Sequence, residues 1–404
     1  MAAPIALDDA LARVRAGALA PQSQQVDLTK AMGRVLFAGV LATRDQPPFR
    51  ASAMDGYAVR RDSLKTPAKP LTVIGESTAG RRFTGAVAVG EAVRIFTGAP
   101  LPDDCDVVII QENVRAADGH ITISPDGLKV NSGHVRAQGQ DFKAGDSLLD
   151  AGLRLDPWRL SLVAAAGLAR PTVARRPRIA VLSTGDELVR PGHAPNADQI
   201  YESGSHAIMA LIKQWGGKAS YLGVEGDSEK AILKALKGVK ADMLVTIGGA
   251  SVGDYDLVKP ALAKLGLKLD FDGVAVRPGK PSSFGRLDTG MRVLGLPGNP
   301  ASAFVIAQLL LKPWLEASLG LAPRDPSIRA ITLKAIAANG PRETYQRALL
   351  TCSTKGEMQV TACDDQDSSL VSVFARADGL IRLPAGAKAI KAGHVVDVIP
   401  LDRL

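Results

Sequence analysis

Short apolar runs alternate with amphipathic stretches through the second half of the chain. From Arg178 the pattern predicts a strand at residues 179–182, a helix at about 203–215, a strand at 219–224, a helix at 227–236 and a strand at 243–247. A helix at 254–265, strands at 267–271 and 292–296, and a long helix at 301–319 complete the series. Strands alternating with helices specify a doubly wound α/β domain, because each parallel strand pair needs a crossover that packs back onto the sheet.

The flanks read differently. Leu7-Asp8-Asp9-Ala10-Leu11-Ala12-Arg13-Val14 is an amphipathic helix with apolar positions 7, 11 and 14 and acids in its first turn. It is not a signal peptide. Pro47-Pro48 ends this helical and then extended opening, since neither residue continues a helix. β-prone runs follow at 71–74, 92–96, 107–110, 120–123 and 128–130, parted by Gly, Pro or Asp turns. Around Asp156-Pro157-Trp158 a helix returns, with Leu160, Val163, Ala164 and Leu168 on one face. Beyond Pro323 the helical period disappears and alternating runs appear at 328–333 and 395–399. The expected fold is multidomain, α/β plus β. Residues 1–50 with 140–177 form a helical and extended N-terminal unit, 51–139 an inserted β-rich domain, 178–322 the α/β domain and 323–404 a small C-terminal β domain.

Composition narrows the class. At 404 residues, 46% of them hydrophobic, the chain is long enough for several cores, and 40 Gly with 25 Pro imply many turns between short elements. The three cysteines, Cys105, Cys352 and Cys363, are odd in number and lack CxxC spacing, so they indicate neither a disulfide framework nor a zinc site and fit a reducing cytoplasm. No apolar run approaches the roughly 18 residues a spanning helix needs, so no membrane association is expected. The net charge of +8 is scattered rather than interleaved with aromatics, which argues against nucleic acid and suits small anionic substrates. The densest basic run, residues 170–178, reads as a solvated linker.

GxxxxGK[ST] and HExxH are absent, and no GxGxxG follows a strand, so P-loop, zincin and dinucleotide chemistries lack their defining residues. Two other loops stand at predicted strand ends. Ser183-Thr184-Gly185-Asp186-Glu187 and Gly248-Gly249-Ala250-Ser251-Val252-Gly253-Asp254-Tyr255-Asp256 combine glycine with carboxylates. Glycines there let backbone N–H groups close around an anion, although an ordinary tight turn also needs Gly-Gly. Asp186 alone could cap a helix, but acids at three strand ends, Asp186 with Glu187, Asp227 and Asp256, favour a Mg²⁺ site beside phosphates. Arg277-Pro278-Gly279-Lys280-Pro281 and Pro297-Gly298-Asn299-Pro300 are rigid turns, the first presenting cations suited to phosphate. In the β-rich unit, residues 52–58 and 97–102 form compact loops of small residues in which Asp55 is the acidic side chain. None of the five histidines has a partner at ligand or triad spacing.

SAMDGYA at 52–58, TGAPLP at 97–102, RAQGQD at 136–141, STGDEL at 183–188, GGASVGDYD at 248–256, PGKP at 278–281 and PGNP at 297–300 occur in one order. In these motifs the chain closely resembles the molybdopterin molybdenumtransferases, or molybdenum insertases, relatives of the gephyrin E domain. The resemblance implies a molybdopterin-binding α/β fold and conversion of adenylylated molybdopterin and molybdate to molybdenum cofactor, with Mg²⁺ required and AMP released. It implies a cytoplasmic homodimer in which the β-rich unit of one subunit brings Asp55 and Thr97 towards Glu187, Asp227 and Asp256 of the other. Asp55, Glu187, Asp227 and Asp256 are then catalytic, the last three holding Mg²⁺. Thr97, Asp141, Thr184, Gly185 and Asp186 contact substrate, as do Gly248, Gly249, Ser251 and Gly253. Arg277 and Lys280 add charge, while Pro297, Gly298, Asn299 and Pro300 shape the pocket floor. A molybdopterin adenylyltransferase and molybdoenzyme maturation proteins are the candidate partners. Two positions depart from the family: Gly204 replaces an Asn, and Arg277 replaces a Lys. The alternatives are a molybdopterin adenylyltransferase-like protein, which need not carry SAMDGYA or the C-terminal β domain, and a non-catalytic gephyrin-like scaffold, against which the retained acids argue.

Overall fold

The computed structural model describes residues 3–66, 69–129, 133–226, 228–249 and 257–402. The chain divides into two compact units, one of Gln25–Met32 with Ala38–Thr172, the other of Met1–Gln24, Gly33–Phe37 and Val173–Leu404. Helix α1 (Leu7–Ala16) has Asp8 and Asp9 in its first turn and Arg13 and Arg15 in its last, complementing the helix dipole. Its buried Leu7, Ala10 and Val14 join the core of the larger unit rather than a separate N-terminal one.

The smaller unit is built on a six-stranded sheet of β1 (Gly56–Val59), β2 (Leu71–Ser77), β3 (Glu91–Ile95), β4 (Val107–Ile110), β5 (Val114–Ala117) and β6 (His120–Ile123), in the order β4-β1-β3-β2-β6-β5. The strand expected at 128–130 does not form in its described part. Leu128 and Lys129 lie instead in a turn where the Lys129 N–H donates to the Asp126 carbonyl at 3.1 Å. Helix α2 (Pro157–Ala165) begins where the Asp156 carboxylate accepts from the Arg159 N–H, at 2.8 Å. Of its expected face, Val163 is buried, Ala164 is exposed and Leu168 lies past the end, because Gly167 at φ +83° stops the helix.

In the larger unit β7 (Arg178–Thr184), α3 (Gly204–Gln214), β8 (Lys218–Glu225), α4 (Glu229–Leu236), β9 (Met243–Ile247), α5 (Val258–Ala263), β10 (Lys268–Asp272), β11 (Val276–Arg277), β12 (Ser283–Arg286) and β13 (Arg292–Leu296) follow in turn. The sheet order is β8-β7-β9-β13-β12-β10, with the first four strands parallel and β12 antiparallel to both neighbours. The side-chain period of two splits β7 between two cores. Ile179 and Val181 pack with α1 and α3, while Ala180 and Leu182 pack with α4 and α5. The predicted 301–319 helix is α6 (Pro300–Ile306), a π-helical turn (Ala307–Leu311) and α7 (Lys312–Ser318). Pro313 accounts for the interruption, since it donates no hydrogen bond and its ring crowds the carbonyl four residues back, on Leu309.

The C-terminal segment closes a small barrel of β14 (Ile328–Thr332), β15 (Glu343–Cys352), β16 (Met358–Ala362), β17 (Gly379–Leu383) and β18 (Val395–Pro400), with α8 (Val371–Arg376) between β16 and β17. Pairing runs β15-β16-β14-β18-β17 and back to β15. Strand β11 extends this sheet in parallel with the start of β15, Val276 opposite Glu343 and Arg277 opposite Thr344. The basic run was expected to be a solvated linker, but Arg175 in it forms a two-pronged ion pair with Asp242 at 3.0 and 3.2 Å.

Candidate functional site

A cavity of about 1240 Å³ opens where β7, β9 and β13 end and where the barrel segments at 337–346 and 366–371 meet them. Crevices of open α/β sheets lie outside the carboxyl ends of strands, which is where the glycine loops fall. Gly248 has φ +93°, and a Cβ there would stand 2.4 Å from the Thr184 carbonyl oxygen, so glycine is required on both counts. Its N–H donates to the Leu296 carbonyl at 3.2 Å, tying the ends of β9 and β13 together. Gly249 at φ +60° continues the turn. Gly185 has φ +150°, and an added Cβ would lie 2.4 Å from Glu187 Oε2, so the Glu187 carboxylate folds back over the glycine. The Thr184 hydroxyl is buried, belongs to a residue that lines the cavity, and has no hydrogen-bond partner among the described residues. An orphaned buried hydroxyl in a cleft wall is a donor and acceptor open to a polar ligand.

Arg277 and Lys280 line the same cavity and are exposed. Their loop is fixed by the β11–β15 pairing and by Gly279, where a Cβ would meet Ile306 Cγ1 at 2.4 Å. Pro297, Gly298, Asn299 and Pro300 line the floor, Asn299 Nδ2 donating to Ser368 Oγ at 2.9 Å. Asp186 departs from expectation. It is exposed and is not part of the cavity lining; its carboxylate lies over Gly226 at the end of β8, where an added Cβ would stand 2.6 Å from Oδ1. Asp227, Ser251, Gly253 and Asp256 lie outside the described residues. Among the described residues no group of three or more His, Cys, Asp or Glu is placed to hold a metal ion. Glu187, an exposed carboxylate at the cavity wall, is the member of the proposed metal set that the structure describes, and its hard oxygen donors suit Mg²⁺.

In the smaller unit the loops at 52–58 and 97–102 are knitted together. Gly98 N–H donates to the Ser52 carbonyl at 2.8 Å, and Ser52 N–H to the Ala99 carbonyl at 3.0 Å. Asp55 Oδ1 accepts from the Thr97 N–H at 2.7 Å and from the Thr97 hydroxyl at 2.8 Å. These bonds, with a smaller contribution from the Arg94 charge, hold the Asp55 carboxyl below the ordinary range. Asp141 is exposed in the same unit, its N–H bonded to the Gln46 carbonyl at 2.9 Å.

Sequence reasoning missed several lining residues. Glu202 is only 2% exposed, yet it lines the cavity and accepts from Ser183 Oγ (3.1 Å), Ser205 N–H (2.6 Å) and Ser205 Oγ (2.6 Å). An acid before a helix reads as an ordinary cap, so nothing local reveals its burial. Arg342 lines the cavity with Nη1 on the Val276 carbonyl at 3.3 Å. Buried Arg347 holds the 366–370 segment, donating to the carbonyls of Asp367 (2.9 Å) and Leu370 (3.4 Å).

This architecture is shared with known proteins. Residues 5–167 match the family model for the MoeA N-terminal region (domain I and II), 180–317 that for a probable molybdopterin binding domain, and 329–401 that for the MoeA C-terminal region (domain IV). A molybdopterin molybdenumtransferase of Haemophilus influenzae is 34% identical over 388 residues, 95% of each chain. This chain belongs to the molybdopterin molybdenumtransferase family. Molybdopterin molybdenumtransferase 2 of Mycobacterium tuberculosis is 34% identical over 92% of this chain and 94% of its own. The crystal structure of a molybdopterin biosynthesis MoeA protein from Pyrococcus horikoshii superposes with a TM-score of 0.84 at 30% identity, covering all of both chains. Within the family frame, Gly204 is not sterically required, since an added Cβ would meet Ile247 and Glu202 at 3.4–3.5 Å, ordinary contact. Arg277 keeps its charge at the cavity wall.

Proposed function

We propose that this chain inserts molybdenum into molybdopterin, converting adenylylated molybdopterin and molybdate to molybdenum cofactor with release of AMP. The observation that carries the reading is the cavity itself, where Arg277, Lys280 and Arg342, none of them ion-paired among the described residues, share one wall system with Glu187 and the Gly248 turn. Its size suits a substrate joining two heterocycles through phosphates. Relatives that align over nearly the whole chain carry the corresponding name.

In this reading Arg277 and Lys280 hold phosphate oxygens and the Gly248-Gly249 backbone closes on them. Thr184 donates its otherwise unpaired hydroxyl. Glu187, with Asp227 and Asp256, holds Mg²⁺, which when bound neutralises charge on the phosphate oxygens. Pro297 and Pro300 fix the floor and restrict water. The protein acts as a homodimer, the Asp55–Thr97 pair of one subunit entering the cavity of the other as a reacting and orienting carboxylate. Substrate supply falls to a molybdopterin adenylyltransferase, and the setting is cytoplasmic. No helix among the described residues is long and apolar enough to cross a membrane.

The test combines purified protein, adenylylated molybdopterin, molybdate and Mg²⁺ and follows AMP and cofactor. Glu187→Ala and Asp256→Ala are expected to stay folded and lose Mg²⁺-dependent AMP release. Wild-type turnover in both would remove the metal assignment, and absence of AMP release by the wild type would favour a scaffold.

A further inference from the structure

Arg94 lies on β3 directly across from Tyr57 on β1. Its guanidinium carbon stands 4.9 Å from the centroid of the Tyr57 ring and 4.9 Å from that of Phe96, so the cation is held against two aromatic rings. Nη1 donates to the Gly56 carbonyl at 3.2 Å and Nη2 to Gln111 Oε1 at 2.6 Å. Gln111 in turn donates its N–H to the Asp55 carbonyl at 3.0 Å. Both residues that Arg94 grips are thus one step from Asp55: Gly56 follows it in the chain, and Gln111 bonds its backbone. Phe96 immediately precedes Thr97, whose N–H and hydroxyl hold the Asp55 carboxylate.

Gly56 explains why the grip transmits. A Cβ there would lie 2.0 Å from the Ile109 carbonyl oxygen, so the backbone behind Asp55 is pressed against β4 and has no slack. Arg94 is half-buried and forms no salt bridge among the described residues; its contacts with two rings and two acceptors offset the rotamer entropy lost in holding it there.

We infer that Arg94 is a positioning residue for Asp55, fixing the direction of its free carboxylate oxygen through its hold on Gly56 and Gln111. The inference rests on the reading of Asp55 as a reacting carboxylate. Oδ1 is occupied twice by Thr97, which leaves Oδ2 to face the reaction partner. Arg94 is also the charged side chain that acts on Asp55, and it lowers the carboxyl's pKa, secondary to the two Thr97 bonds.

The experiment measures AMP release by the full-length protein across pH for the wild type, Arg94→Lys, Arg94→Met and Asp55→Asn, with thermal melts of each. Lysine keeps the charge but loses the planar fork and its two-ring stacking. Both Arg94 variants are expected to lose kcat on the order of 10- to 100-fold with KM little changed, the scale of a small misplacement of a reacting group. The acid limb of the pH profile should move to higher pH in Arg94→Met and less so in Arg94→Lys. A purely structural role would lower the melting temperature and leave the acid limb where it was. Inactive Asp55→Asn alongside Arg94→Lys of native melt, wild-type kcat and unmoved acid limb would overturn the inference while sparing the reading of Asp55. Full turnover by Asp55→Asn would sink both.

Discussion

Replacing Glu202 by alanine is the sharpest test of how the cavity is supported. Three donors converge on this carboxylate: Ser183 Oγ, Ser205 N–H and Ser205 Oγ, all of them on residues with no solvent exposure. Truncation leaves the three without acceptors. Each orphaned donor costs about 1–2 kcal/mol, and relief from burying the carboxylate returns part of this, so the expected net loss is about 3 kcal/mol. Glu202→Gln retains Oε1 for two donors, and the Ser205 hydroxyl turns to accept from the new amide, so that variant should lose only about 1 kcal/mol. Urea unfolding followed by tryptophan emission reads the right unit. Trp215 and Trp314 are 3% and 0% exposed within it, whereas Trp158, in the other unit, is already 81% exposed and changes little. At a slope of about 3 kcal/mol/M, Glu202→Ala should unfold roughly 1 M earlier than the wild type. Coincident midpoints for Glu202→Ala and wild type would show that the three bonds do not support the cavity wall.

Gly248→Ala forces a Cβ to within 2.4 Å of the Thr184 carbonyl at a backbone angle of φ +93° and should cost about 1–3 kcal/mol while weakening AMP binding. An unchanged melt with unchanged AMP affinity would refute the close approach of the two loops. Burial, and next the flanking Asp104 and Asp106, push the Cys105 thiol up to about 12, so it is a neutral thiol at pH 8. Native protein treated with a thiol reagent at pH 8 should therefore react at exposed Cys352 first and at Cys105 only after unfolding, a difference that peptide mapping resolves. Labelling of Cys105 in the folded protein would contradict its burial.

What the chain disclosed about its own fold depended on whether burial was written locally. Strands β9 and β13 are apolar throughout or nearly so, as strands covered on both faces must be, and their boundaries were read without shift. Strand β12, Ser283–Arg286, is four residues long and contains a glycine, so its pairing with β13 comes from the sheet and not from its own composition. Strand β15 was missed for a more instructive reason. Its Glu343 and Arg347 break the apolar alternation, yet Arg347 is buried because carbonyls of a segment twenty residues away receive its guanidinium.

The candidate site divides along the same line. Gly185 and Gly248 announce themselves because their positive φ favours glycine, and that requirement is local, although the close approach of Gly248 to the Thr184 carbonyl comes from another strand. Glu202, Arg342 and Arg347 are defined by what folds over them from elsewhere, and their residue types alone suit any solvated turn. A carboxylate becomes a structural centre only when a strand end and a helix start both send donors to it. That condition joins Ser183 to Ser205, residues 22 apart in sequence by their numbering, across one buried acceptor. Local chemistry therefore marks where the backbone must turn with positive φ, whereas the charged groups that complete the wall are selected by long-range packing. Among those groups, Glu202 is the one whose removal should be felt in both stability and turnover, since it accepts from Ser183, the residue before Thr184, and lines the same cavity as Thr184.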